Sequence, residues 1–153
     1  MFKNHPKGLP VLFFTEMWER FGFYLILGIS GLYMEAGHDP VLAARSGLGL
    51  PPTQSKDIYG SYIALVYLTP FIGGLLADRV LGYRRSIIMG GILMGLGYCG
   101  LAIPGYGVHF FLSLLLIIVG NGFFKPNIST LVGNLYNDPR YRGLFKVNGY
   151  AGH

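Results

Sequence analysis

Four apolar runs, at about residues 9–34, 58–76, 86–103 and 109–132, take up most of this 153-residue chain. Each approaches the roughly 20 residues that a helix needs to cross about 30 Å of hydrocarbon. In lipid a helix satisfies its own backbone hydrogen bonds, so the runs point to helices rather than isolated strands. The chain is 52% hydrophobic and only 12% charged, with a mean hydropathy of +0.46. The expected fold class is an all-α membrane protein with four transmembrane helices.

Against that background, Glu16, Glu19 and Arg20 stand inside the first run and Lys125 inside the fourth. A charge at the bilayer centre costs roughly 2.5 to 3.5 kcal/mol on insertion scales, so such residues face a protein interior or a water-filled path. At about 100° per residue, Glu16, Glu19, Arg20, Phe23 and Tyr24 share one helical face, with Glu16 and Arg20 at i and i+4. Two carboxylates beside one guanidinium can be ion-paired and still hold a titratable proton, which suits a proton relay. The competing readings are a short interfacial helix for the acids and snorkelling toward an interface for Lys125.

The remaining basic residues set the topology. Lys3, Lys7, Arg79, Arg84, Arg85, Arg140, Arg142 and Lys146 fall on one side of the four runs, and Arg45 and Lys56 on the other. The positive-inside rule then puts both termini in the cytoplasm, as an even number of spans requires. The net charge of +5 thus follows membrane topology and implies no nucleic-acid partner. Residues 35–57, with the Pro51-Pro52 pair, read as an external loop, and Pro104-Gly105-Tyr106-Gly107 as a tight turn that makes the third and fourth helices antiparallel neighbours. Within the third run, Gly91 and Gly95 match the small-residue helix contact pattern.

Several motifs are set aside. Gly95-Leu-Gly97-Tyr-Cys-Gly100 fits a dinucleotide fingerprint but follows no strand, and Asn127-Ile128-Ser129 fits a glycosylation acceptor but lies within an apolar run. The lone Cys99 excludes an internal disulfide and is expected to be a packed core thiol. The histidines at 5, 38, 109 and 153 have no metal-ligand spacing, and no nucleophile stands with a base, so neither an enzyme nor a cofactor is expected. The first run is interrupted by charge and has no prompt small-x-small site, so it is expected to remain as a helix rather than be cleaved.

The second-to-third connection reads Gly73-Gly74-Leu-Leu-Ala-Asp78-Arg79-Val-Leu-Gly82-Tyr-Arg84-Arg85. It resembles the signature loop of the major facilitator superfamily. There Gly74 and Gly82 would allow close helix approach, Asp78 would meet a helix N-terminus or a basic residue, and Arg79, Arg84 and Arg85 would anchor at the anionic leaflet. The implied role is a latch between conformations. Glu16-Met-Trp-Glu19-Arg20-Phe21-Gly-Phe23-Tyr24 resembles the ExxERFxYY motif of the proton-dependent oligopeptide transporters, with Phe23 in place of the first tyrosine. Gly120-Asn-Gly122-Phe-Phe-Lys125-Pro126-Asn127 is similar to the fourth-helix motif of the same family, and Ser61-Tyr62 to its second helix.

The resemblance implies a chain forming the start of a major facilitator fold, with residues 1–142 as the N-terminal four-helix part. It implies proton coupling by Glu16 and Glu19, and substrate binding by Arg20, Tyr24, Tyr62 and Lys125. The implied activity is proton-coupled symport of di- and tripeptides across the plasma (inner) membrane, with the proton as coupling ion, lipid around the helices and the rest of a transporter as partner. Family members have twelve or more spans in two halves around a central site, so the chain is expected to be a truncated piece, inactive alone, with residues 143–153 a tail foreign to the family. Two alternatives stay open: a four-span dimeric proton-coupled multidrug antiporter, and a membrane fragment that transports nothing.

Overall fold

The computed structural model describes residues 6–37, 47–103 and 107–136, which form four α-helices with no strand among them. Helix α1 spans Leu9–Glu35 and has a proline in its first turn, where the missing N–H is no loss. At about 1.5 Å per residue its 27 residues reach roughly 40 Å, enough to cross a bilayer with some tilt. Its exit is capped by the returning chain. The N–H groups of Leu48, Gly49 and Leu50 donate to the carbonyls of Tyr33, Ala36 and Met34 at 2.8–3.1 Å, satisfying the free end of the helix.

Helix α2 spans Pro52–Leu76. It therefore starts six residues before the expected boundary at 58, because prolines preset the backbone angle of a first helical turn. It runs on through a π-helical turn, Ala77–Leu81, and stops at Gly82, whose φ of 75° favours glycine. Helix α3, Tyr83–Leu101, begins at the next residue. The expected connecting loop is thus almost wholly helical, with Gly82 as its single break. Helix α4 spans Gly107–Leu135. The expected turn at 104–106, the tail at 143–153, and the basic residues Lys3, Arg45, Arg140, Arg142 and Lys146 lie outside the described residues.

By length and apolarity alone, α2 with its π turn and α4 are long and apolar enough to cross a membrane. Helix α1 carries Glu16, Glu19 and Arg20 within its apolar run, and α3 carries five glycines between residues 90 and 100 and an arginine pair at its start, which dilute their hydropathy.

Helix α4 is the centre of the bundle: its most extensive interface is with α3, the next with α2, while α1 rests lightly on α2 and α4. The α3–α4 pair is antiparallel. A Cβ on Gly90 would lie 2.6 Å from the Gly120 carbonyl, and one on Gly97 would lie 2.8 Å from the Ser113 carbonyl. The contact stripe is Gly90, Met94 and Gly97, not the expected Gly91 and Gly95: nothing lies within 4 Å of a Cβ on Gly95. Cys99 also departs from expectation and is exposed, on the side of α3 turned away from α4. On the other side of α4, Pro126 cannot donate to the Gly122 carbonyl four residues back. That carbonyl faces Gly73 of α2 so closely that a side chain there would clash.

The larger apolar core gathers Ile26 and Met34 of α1, Tyr62 and Val66 of α2, and Phe110, Leu114, Ile117 and Ile118 of α4. A smaller one joins Met94 of α3 to Phe124 and Ile128 of α4. Gly97→Ala is expected to lower the unfolding free energy of the detergent-solubilised chain by about 1 to 3 kcal/mol through overpacking. Gly95→Ala is expected to be neutral or slightly stabilising. Circular dichroism melts of the two variants check this, and the reverse order would mean that α3 packs through its Gly91–Gly95 face.

Candidate functional site

Among the described residues Glu19 is the one buried charged side chain, 7% exposed. It faces α4, where the side-chain amide of Asn121, itself 3% exposed, donates to Glu19 Oε1 at 2.5 Å. A buried carboxylate without a donor is costly, and this bond across 102 residues of sequence is what allows Glu19 to sit inside. Asn121 was not among the residues expected to form the site. Its signal was present in the sequence, since an asparagine between two glycines in an apolar run is a polar group brought close to a neighbouring backbone.

Glu16 and Arg20 do not share that buried position. Arg20 Nη2 donates to Glu16 Oε1 at 3.4 Å, with both side chains nearly half exposed. The expected cluster of two acids around one guanidinium is therefore divided: Glu16 holds the guanidinium, and Glu19 turns one step around the helix into the bundle. Arg20 still lies close enough for its charge to act on Glu19. Tyr24 is on the open side with Arg20, at i+4, and is exposed. Glu16, Arg20, Phe13 and Met17 line a shallow groove along this face.

Tyr62 is 4% exposed and sits in the core, its ring stacked on Phe23 at 6.5 Å between centroids and 24° between planes. Its hydroxyl has no hydrogen-bond partner among the described residues. The phenylalanine that departs from the family motif thus serves as the packing surface for Tyr62. Lys125 is half-buried on α4, one turn beyond Asn121, and its charge also reaches Glu19. Its Nζ lies 5.6 Å from the centre of the Tyr67 ring on α2. Tyr98 of α3, another residue missed in the sequence, rests its hydroxyl against Gly22 of α1, one turn from Glu19, where a Cβ would lie 2.5 Å away.

The residues of the connecting segment lie at the end of the bundle where α2 passes into α3. Gly74 packs on Pro126 of α4, Asp78 and Arg79 are exposed in the π turn, and Arg84 and Arg85 are exposed in the first turn of α3. Among the described residues Asp78 forms no ion pair. No group of three or more metal-ligating side chains occurs among the described residues.

The site thus joins a buried acid bonded to an amide, two cations whose charges reach it and an aromatic wall, all held between long apolar helices. The profile of the Major Facilitator Superfamily matches residues 12–145, and the chain belongs to that family. It is accordingly an integral membrane protein. It is 47% identical over 136 residues to the di-/tripeptide transporter of Lactococcus lactis subsp. lactis, a match covering 89% of this chain and 27% of that protein. It is 38% identical over 147 residues to dipeptide and tripeptide permease A of Escherichia coli, covering 94% of this chain and 27% of that one. Among solved structures, the peptide transporter POT in complex with sulfate superposes with a TM-score of 0.83 at 43% identity, over 96% of this chain and 29% of that one. A POT family transporter in complex with 5-aminolevulinic acid superposes with a TM-score of 0.80 at 38% identity, over 96% of this chain and 30% of that one. The chain spans under a third of the length of these relatives.

Removing the donor with Asn121→Leu is expected to cost about 1 to 2 kcal/mol of unfolding free energy, because the carboxylate stays buried without its bond. Glu19→Leu in that background is expected to cost less than in the parent chain. A double-mutant cycle on detergent-solubilised protein reads the coupling, and additive losses would mean the two side chains do not support each other.

Proposed function

We propose that this chain forms the first four membrane helices of a proton-coupled symporter of di- and tripeptides, set in the plasma (inner) membrane with both termini in the cytoplasm. The observation that carries the reading is Glu19, an acid buried at the helix junction with one neutral donor bonded to it and the cations Arg20 and Lys125 within electrostatic reach. Such a group can gain and lose a proton without leaving its site, and each change alters how strongly it holds the neighbouring cations. The peptide-transporter names of the relatives support the substrate class.

In this reading Glu19 is the coupling acid, and Glu16 acts with it by holding Arg20. Protonation of an acid frees a cation, and Arg20 or Lys125 then takes the carboxylate of the peptide. Tyr24, on the open face beside Arg20, contacts the peptide backbone, and Tyr62 closes the wall behind it. Gly74, Asp78, Arg79, Gly82, Arg84 and Arg85 form the latch at the cytoplasmic end, with the arginines at anionic lipid. Transport on this plan needs a second bundle rocking against the first, so the cycle belongs to a protein that includes this segment, with no cofactor besides the proton.

The test is a chimera in which residues 6–136 replace the matching segment of the Lactococcus lactis di-/tripeptide transporter. Reconstituted in proteoliposomes, it is expected to accumulate a labelled dipeptide when a proton gradient is imposed. In that chimera Glu19→Gln is expected to abolish accumulation while peptide exchange continues, and unchanged accumulation would sink the coupling role. Arg20→Lys, which loses the guanidinium fork, is expected to raise the half-saturating peptide concentration about tenfold, or ~1.4 kcal/mol. A chimera that reaches the membrane but accumulates no peptide overturns the substrate class.

A further inference from the structure

Lys125 presents a physical problem that no motif residue resolves. It stands at i+4 from Asn121 on the central helix, half-buried, in surroundings where a free ammonium is expensive. Its charge acts on Glu19, yet no salt bridge within 4.0 Å joins it to Glu19 or Glu16. Besides Glu16, Glu19, Arg20 and Tyr24 of α1, the titratable groups around the site are Tyr62 and Tyr67 of α2 and Tyr98 of α3. Among the described residues the ammonium has one close partner, the face of the Tyr67 ring at 5.6 Å, within the roughly 6 Å over which a ring attracts a cation.

We propose that Tyr67 is a positioning residue: its ring is the resting seat of the Lys125 ammonium, holding it apart from Glu19 so that it remains available to an incoming carboxylate. This deepens the peptide-symporter reading and rests on it for the identity of the carboxylate, while the seat itself can be tested without transport. The balance of forces favours such a seat. An ion pair with Glu19 would remove the cation from service, whereas cation–π attraction is worth about 0.5 to 2 kcal/mol, enough to place an ammonium without trapping it. The ring face, not the phenol hydroxyl, supplies the attraction, so Tyr67→Phe retains the seat and Tyr67→Leu removes it. Tyr67 is 66% exposed, so neither change opens a core cavity.

The full chain, in lipid nanodiscs and labelled with ¹³C at the lysine ε-carbon, gives one ε-methylene proton–carbon correlation for each of its lysines, and Lys125→Arg identifies that of Lys125. A methylene held over an aromatic face is displaced upfield by the ring current. The Lys125 correlation is expected upfield of the other lysines, to remain so in Tyr67→Phe, and to rejoin them in Tyr67→Leu. Glu19→Gln, which removes the competing carboxylate, is expected to leave the displacement intact or deepen it. Absence of a displaced Lys125 correlation in the parent chain, its survival in Tyr67→Leu, or its loss in Glu19→Gln would each overturn the proposal. Should Tyr67→Leu fail to insert, the parent chain, Tyr67→Phe and Glu19→Gln decide it. None of these outcomes depends on the chimera taking up peptide, so failure of the seat and failure of the transport reading are separately visible.

Discussion

Three consecutive residues of α4 hold the bundle together. Gly120 meets Gly90 and Met94 of α3, Asn121 bonds Glu19 of α1, and Gly122 meets Thr69 and Gly73 of α2. Successive residues on a helix point about 100° apart, so three in a row address three different neighbours, which is why α4 can lie at the centre. The two glycines are needed because the α2 and α3 backbones come within the space a side chain would fill. Between them, Asn121 reaches out to the third helix. In lipid, where apolar side chains gain little by leaving one hydrocarbon for another, close backbone packing and interhelical hydrogen bonds must supply the association. The Gly120-Asn121-Gly122 step supplies both, and Thr69 adds to it by placing its hydroxyl 3.1 Å from the Ile118 carbonyl.

This arrangement explains the unequal roles of the helices. α2 and α3 follow one another through a single glycine break, yet each packs chiefly on α4, which lies between them. α1 is held by the apolar contacts of Ile26 and Met34, by the chain returning at residues 48–50, and by the Glu19–Asn121 bond. It is therefore the helix with the least packing and the most charge.

The number of helices and the antiparallel α3–α4 pair were legible in the sequence, because apolar runs near 20 residues and a short polar connection leave little freedom. So were the charges that matter, since composition makes four intramembrane charges conspicuous. What could not be read was direction. Glu16, Glu19 and Arg20 lie within one broad face by helical angle, and nothing in the α1 sequence says that the neighbour stands nearer Glu19 than Glu16. The choice of Gly90 and Gly97 over Gly91 and Gly95 is of the same kind: both pairs lie on α3, and the position of α4 decides between them. Pro51 and Pro52 were ambiguous for another reason, because proline serves a loop and a first helical turn equally well.

Glu19 and Lys125 then stand on different supports, and the proposed coupling depends on that separation. If acid and base sat within bonding distance in a dry interior, they would neutralise each other and leave nothing to couple. Here the carboxylate has an amide for a partner and the ammonium has an aromatic ring, and neither partner carries a net charge. An amide offers a donor and an acceptor side by side, so Asn121 can serve Glu19 as a carboxylate through its N–H and as a carboxylic acid through its oxygen, an atom with no other partner among the described residues. In the proposed cycle the acid would therefore change protonation without losing its place against α4. Its charge still reaches Lys125 and Arg20 through space, so in the proposed cycle a proton gained on α1 would alter the hold on cations of two helices while the packing of Gly120 and Gly122 stays fixed.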